Sequence, residues 1–480
     1  MPLRIVSVVL LMSSSSVVAN HDAGVPPFYV PENSAYTIVD SSLDSIRFTL
    51  ERTVKPNAQG HLVSVSSFVN PNGEPMLWHE FGPLEGPGWA TNAIGGAYEI
   101  YRFGKFLDNK EWQEKSLRIL DHILDGGFID EETGFIRGYR HTVDDEFHLN
   151  YRHNSDWFCA GAMAKNGFQL LKFADELGDD PRAARMRRTA VRCAAWIESK
   201  VQPVPNGWFP RRCTPAGEVY RNDAGGRKQD PFWQTSADGL FIIQLQAALT
   251  QQGLVDYRQQ MADKIAAFVR HKGLFGSINH DTYDKRECVA YAVAFRTLLL
   301  ASQVLKDESV RRFAYDTCLN GLEQFRMRED RNGVATTGLL IMERSWDTAY
   351  LWENAESALA YFEAAREIEA ENPQQSRQYS LDGLTILRAI AKHHYGPYGF
   401  LTEGVDWSNF VGQRHHIDQK RFGAIQYTEP FLNNQHISEP TLFYLEQLAT
   451  RTTANGRVEW RDIENNVLLE RPPSESSLGR

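Results

Sequence analysis

The sequence contains no apolar run approaching the ~18 residues of an ordinary membrane helix, so no membrane span is expected. Its net charge of −10 comes from 51 Lys+Arg against 61 Asp+Glu. No basic cluster stands out, and nucleic-acid binding is left without an electrostatic footprint. Only five cysteines occur in 480 residues: Cys159, Cys193, Cys213, Cys288 and Cys318. They are odd in number and dispersed, with no CxxC spacing. That argues against a disulfide framework or a thiolate zinc site and predicts buried apolar fillers. There is no Asn-x-Ser/Thr acceptor and no GxSxG nucleophile elbow, and Gly225-Gly226-Arg227-Lys228 does not fit a phosphate loop. His393-His394 and His415-His416 have neither i, i+4 spacing nor an HExxH pattern, so no metal and no cofactor are expected.

Aromatic residues, by contrast, make up 11% of the chain and include 11 tryptophans, whose flat faces suit sugar rings. At the N-terminus, Arg4, the apolar run from Ile5 to Met12 and the small residues Val17-Val18-Ala19 have the layout of a secretory signal peptide. Residues 1–19 are read as that leader, which predicts a periplasmic or secreted protein. The sequence assigns 20–454 to one large domain. Residues 455–480 read as a terminal hairpin opening at Asn455-Gly456, followed by a mobile tail.

Helical periodicity dominates, and it comes in pairs. The pairs cover about 89–108 with 110–125, 156–178 with 181–200, 233–252 with 254–272, 287–305 with 308–327, and 346–369 with 376–394. A further helix near 438–451 is partnered by an early one around 42–54. In the joint Gly178-Asp179-Asp180-Pro181, glycine stops one helix, Asp180 caps the next and Pro181 takes its first position. After the second helix of each pair comes a glycine followed by apolar or aromatic residues: Gly127-Phe128, Gly207-Trp208-Phe209, Gly273-Leu274-Phe275, Gly333-Val334 and Gly399-Phe400-Leu401. Four pairs open near a tryptophan: Trp89, Trp157, Trp233 and Trp346. A two-helix unit with one apolar stripe per helix cannot bury itself, but about six of them can close into a toroid. Small residues in the first helices (Gly95-Gly96-Ala97, Ala160-Gly161-Ala162, Ala237 with Gly239) would allow close packing at the centre. The fold class read from the sequence is therefore all-α, an (α/α)6 toroid of helical hairpins with small irregular or β-hairpin additions.

Polar clusters recur where the first helices begin, and a ring would gather them at one end. They contain Glu85, Trp89 and Asn92; Tyr151-Arg152-His153-Asn154-Ser155-Asp156-Trp157; Asp230-Pro231-Phe232-Trp233-Gln234 with Asp238; Glu343-Arg344-Ser345-Trp346-Asp347 with Trp352-Glu353; and Tyr427-Thr428-Glu429 with His436 and Glu439. One acid at a helix start is explained by capping alone. Acids, indoles, arginine and histidine together fit glycosidic cleavage, which needs one protonated and one ionised carboxylate across the bond. Asp156, flanked by Arg152 and His153, is expected to stay ionised. Asp238, if its helix opens at Trp233, would project into the ring partly desolvated and act as the general acid. Asp347 and Glu85 are held in reserve. Trp89, Trp157, Trp233 and Trp346 would stack on sugar, and Arg152 and Arg344 would pair with a substrate carboxylate. Two alternatives stand. One is a lyase acting across a uronic acid, with His153, Tyr151 or Tyr427 as base and His436 assisting. The other is a non-catalytic glycan-binding toroid.

On Arg152-His153-Asn154-Ser155-Asp156-Trp157, Asp230-Pro231-Phe232-Trp233-Gln234 and Ser345-Trp346-Asp347, the chain resembles the six-hairpin (α/α)6-barrel carbohydrate-active enzymes. In organisation it looks closest to the uronic-acid-directed glycoside hydrolases and toroidal polysaccharide lyases. The resemblance spans roughly residues 42–451. It implies an oligo- or polysaccharide substrate and central acids matching Asp156, Asp238 and Asp347. Fold alone does not fix the reaction.

Overall fold

The computed structural model describes residues 37–451, except 65, 77–81, 152–155, 221–235, 273–277, 279–283, 345, 396–398, 409–422, 425–426 and the side chains of 395, 423–424, 432–436 and 448–451. The leader 1–19, the segment 452–480, Arg152, His153, Trp233 and the His436 side chain lie outside the described residues.

Twelve α-helices occur among the described residues. Six form an inner ring: α2 (Ala93–Phe106), α4 (Ala160–Leu177), α6 (Gly239–Gln251), α8 (Cys288–Leu305), α10 (Leu351–Ile368) and α12 (Pro430–Arg451). Each packs on the next in that order, and α12 packs back on α2. Outside them lie α1 (Ile38–Phe48), α3 (Lys110–Asp125), α5 (Pro181–Lys200), α7 (Arg258–Arg270), α9 (Glu308–Phe313) and α11 (Pro373–Ala391). Helix α1 packs on α12, so the first helix completes the last hairpin and the toroid closes. This is the expected fold.

Inner and outer helices are built differently. Outer helices are amphipathic: α5 buries Ala183, Met186, Ala190, Cys193 and Ile197 at helical spacing and leaves its arginines outside. Inner helices are buried nearly all round, as α6 is from Gly239 through Thr250. Helix α8 is long and apolar enough to cross a membrane, yet it is a ring member whose surface its neighbours cover. Five outer helices carry a side-chain N-cap, from Thr37, Asn109, Asp180, Asp307 and Asn372. The inner helices α2, α4, α6, α8 and α10 carry none. Their starting N–H groups are left to the loops at that end of the ring.

Glycine sets the approach of the inner helices. A Cβ on Gly96 would lie 2.6 Å from Phe431 Cβ across the α2–α12 seam, and one on Gly161 would lie 2.2 Å from the Asp238 carbonyl oxygen across the α4–α6 seam. The repeated glycine after an outer helix takes positive φ at Gly127, Gly207, Gly333 and Gly399, a turn open to glycine at no steric cost. That turn folds Phe128, Trp208, Val334 and Phe400 beneath the helices, all of them buried.

The β structure is minor and decorates the loops. Strands β1 (Val54–Pro56) and β2 (Leu62–Ser64) pair as a hairpin. Strands β3 (Leu84–Glu85), β4 (Tyr139–His141) and β5 (Phe147–His148) form one small antiparallel sheet. Strand β6 (Thr348–Tyr350) pairs with a later strand over Gly404–Asp406. His394 is buried and its Nδ1 lies 2.8 Å from Ser41 Oγ. Burial drives its pKa down to about 3, so it is a neutral tie between α1 and the last loop. All five cysteines are buried, with no disulfide.

Candidate active site

The loops that enter the inner helices share one end of the toroid, called the mouth below. Trp89 marks its centre. The chain reaches it through Gly86-Pro87-Gly88, where Gly88 is pressed so closely on the Tyr139 ring that a Cβ would lie 2.2 Å from it. The Tyr139 hydroxyl accepts the Ala90 N–H at 3.3 Å. From that anchor Trp89 meets Phe241 of α6 at 5.5 Å and Trp352 of α10 at 5.8 Å between ring centroids. The Lys165 ammonium of α4 sits 4.3 Å above the Trp89 ring and 5.7 Å from that of Phe241. Residues from the first, second, third and fifth hairpins therefore converge, which only a ring axis allows.

Lys165 is 9% exposed, and burial lowers its pKa to about 8. Its ammonium makes no hydrogen bond or ion pair among the described residues. The indole Nε1 of Trp89 is likewise buried without a hydrogen-bond partner among them. Desolvating an ion costs several kcal/mol, whereas a buried cation–π contact returns about 2 kcal/mol. The mouth thus ends in two donors that the described protein groups do not satisfy.

Asp238 stands one helical turn before Phe241, whose N–H donates to the Asp238 carbonyl at 3.0 Å. Helix α6 opens at Gly239, six residues after Trp233, so Asp238 occupies the cap position and does not project from within the helix. It is 1% exposed. Burial pushes its pKa up to about 7, against the opposing effects of the Ser236 hydroxyl, the Arg211 charge and the Gly239 and Gly161 N–H groups. At neutral pH it holds a proton on a substantial fraction of molecules. Asp156 is exposed and lies five residues before Gly161, so both acids flank the start of α4. Between them, Cys159 lines a small crevice of about 30 Å³ with Trp89, Tyr139 and Tyr151. Burial, and then the nearby Asp238 charge, raises the Cys159 thiol pKa well above its usual value.

The other expected site residues are placed as follows. Glu85 is buried and engaged by Arg140 at 2.7 Å, with His122 Nε2 at 3.2 Å. Trp157 is 4% exposed, and the Arg212 guanidinium covers its face at 4.3 Å. Asp347 and Arg344 are exposed on the rim. Trp346 and Tyr427 come together around Phe68, which meets Tyr427 edge-to-face at 5.3 Å. Burial holds the Tyr427 phenol well above its usual pKa, so it stays un-ionised. Beside it, burial raises the Glu429 pKa to about 7, while a hydrogen bond with Glu403 opposes the rise.

Sequence reasoning did not single out Lys165, Phe241, Arg212 or Glu403. The signal for Lys165 was present: one charge directly after the run Ala160-Gly161-Ala162-Met163-Ala164, three and seven residues before Phe168 and Lys172, hence on the same helix face.

No family model matches the sequence, and neither does a curated protein. Among solved structures, the chain is similar to a D-mannose isomerase, with a TM-score of 0.55 and 9% identity over 87% of this chain and 100% of that one. It is similar to cellobiose 2-epimerase from Spirochaeta thermophila DSM 6192, with a TM-score of 0.54 and 13% identity over 87% and 100%. A family 76 glycoside hydrolase from a bovine Bacteroides thetaiotaomicron strain gives a TM-score of 0.50 and 10% identity over 86% and 78%. The chain has the six-hairpin toroid fold of carbohydrate-active enzymes. At these identities the likeness is one of fold, and the chemistry rests on the mouth itself.

Proposed function

We propose that this protein is a carbohydrate-active enzyme that hydrolyses a glycosidic bond at a uronic acid or related sugar. The observation that carries this reading is the convergence of Trp89, Trp352, Phe241 and Lys165 at the floor of the mouth, with Asp238, near neutral pKa, one helical turn before Phe241. Indole faces supply stacking for a sugar ring. A carboxyl group that keeps its proton at neutral pH can give it to the leaving oxygen, while a solvated one such as Asp156 activates water or attacks.

The test is a screen of purified protein on uronic-acid oligosaccharides, reading both new reducing ends and ultraviolet absorbance. Hydrolysis releases reducing ends without a new conjugated double bond, whereas a lyase produces both. Asp238→Asn is expected to lower the rate by about 100-fold or more, with the circular dichroism spectrum unchanged. Full activity in that variant would remove Asp238 from the chemistry.

A further inference from the structure

Three cations of the inner ring lie close to one another along the axis: Lys165 and Lys172 on α4, and Arg296 on α8. Two have acid partners. Lys172 Nζ lies 2.7 Å from Glu439 of α12. Arg296 is held by Glu363 at 3.1 Å and by Glu356, both on α10. Lys165, equally enclosed, has only the Trp89 and Phe241 ring faces. The acids that act on it, Glu356 and Glu439, are those already paired with Arg296 and Lys172, while Lys172 and Arg296 themselves repel it. A buried cation left without its own counter-ion is destabilising unless an outside group supplies one. Next to it the Trp89 Nε1–H also lacks an acceptor among the described residues. The floor of the mouth therefore presents donors and positive charge, between apolar ring faces, and among the described residues no acceptor for them.

We propose that Lys165 with the Trp89 indole N–H forms the subsite for the carboxylate of an acidic sugar. This rests on the carbohydrate reading above and deepens it by assigning the anionic end of the substrate. A carboxylate has acceptor lone pairs for both donors, and a charge-assisted bond to an ammonium is stronger than a bond between neutral groups. The ring faces of Trp89 and Phe241 would flank the sugar carbons. Arg344, the other described cation named for this task by the sequence, stands exposed on the rim. Lys165 here is a binding and specificity residue, with no proton transfer assigned to it.

The experiment is calorimetric titration of the intact protein with D-glucuronate and, in parallel, with D-glucose. Wild type is expected to prefer glucuronate by about tenfold or more. Lys165→Met should abolish that preference while leaving glucose binding in place, and Lys165→Arg should restore part of it. The preference should also fade as pH rises through about 8, where the amine loses its charge in the field of Glu356, Glu439, Lys172 and Arg296. Equal binding of the two sugars by wild type, or a preference that survives in Lys165→Met, overturns the assignment while leaving a carbohydrate enzyme intact. If no glycan is bound or turned over, the wider reading falls with it.

Discussion

The two ends of the toroid's axis are furnished with the same kinds of side chain and treat them in opposite ways. Away from the mouth, a hollow of about 300 Å³ is lined by residues from all six inner helices. There nearly every charge has a partner: Lys172 with Glu439, Arg102 with Glu446 and Glu176, Arg296 with Glu356 and Glu363. At the mouth, the Lys165 ammonium and the Trp89 indole N–H are enclosed without acceptors among the described residues. A satisfied buried network fixes geometry and registers helices against one another. Unsatisfied donors enclosed beneath the loops of the mouth are instead a standing affinity for something outside the chain. The contrast locates structure at one end and recognition at the other. Helix caps repeat it: five of the six outer helices are capped by a side chain, while five inner helices bring starts without one to the mouth.

The strongest way to break the comparison is to remove a partner from the satisfied end. Arg296→Met leaves Glu356 and Glu363 enclosed without their cation. Removing one member of a buried ionic group typically costs about 3–5 kcal/mol. Urea denaturation of the variant is expected to show a loss of that size. A loss below about 1 kcal/mol, the value of an exposed pair, would mean that the far end is wetter and less structural than its burial indicates.

Within that end Glu99 is the exception. It is fully buried, and neither carboxylate oxygen has a hydrogen-bond partner among the described residues. Burial, and then repulsion from Glu439, raises its pKa to about 8. A folded-state pKa above the unfolded value of 4.5 gives stability that is complete below 4.5 and is lost as pH rises through about 8. Thermal melts between pH 5 and 9 should therefore show wild type losing stability with rising pH, with a shallower fall in Glu99→Gln. Parallel curves would show that Glu99 is not the group being titrated.

How much of this could be read beforehand differs between backbone and site. The hairpins were legible because their punctuation is local. Asp180 accepts the Arg182 N–H at 2.9 Å with Pro181 in the first turn, as the Gly178-Asp179-Asp180-Pro181 joint predicts. The starts of the inner helices were less so. Trp89, Trp157 and Trp346 lie in the lead-in chain, ahead of the helices, and α10 begins at Leu351 only after strand β6 has paired with Gly404–Asp406. That pairing is a contact across about fifty residues, invisible to periodicity. The periodicity near 438–451 marks only the latter part of α12, which starts at Pro430 and carries Pro440 inside it. At the site, the meeting of Trp89 with residues of other hairpins follows from ring closure, which the repeat announces. The status of Lys165 does not. Whether a lysine on an apolar helix has a counter-ion depends on which acids of α10 and α12 are already taken, and one strand of sequence cannot say.

The smallest expected effect is also the most direct contrast with Arg296. Lys165→Met replaces an enclosed ammonium by an apolar chain of similar length at a position with no acid of its own to strand. Where Arg296→Met should cost stability, this change should add about 1–2 kcal/mol near neutral pH, since well-packed apolar replacements of buried charge are often neutral to stabilising. The pH dependence has a definite sign. Burial lowers the amine's pKa from 10.5 to about 8. A depressed folded-state pKa makes the lysine's contribution most favourable above the unfolded value, and that contribution is lost as pH falls toward about 8. The advantage of Lys165→Met over wild type should accordingly be full below about pH 8 and shrink toward pH 10.5. Saturating glucuronate should erase it from the other side, by stabilising wild type more than the variant. A variant that is less stable than wild type at pH 7 would show that the Trp89 and Phe241 rings already satisfy the ammonium. The mouth would then be as self-contained as the far end.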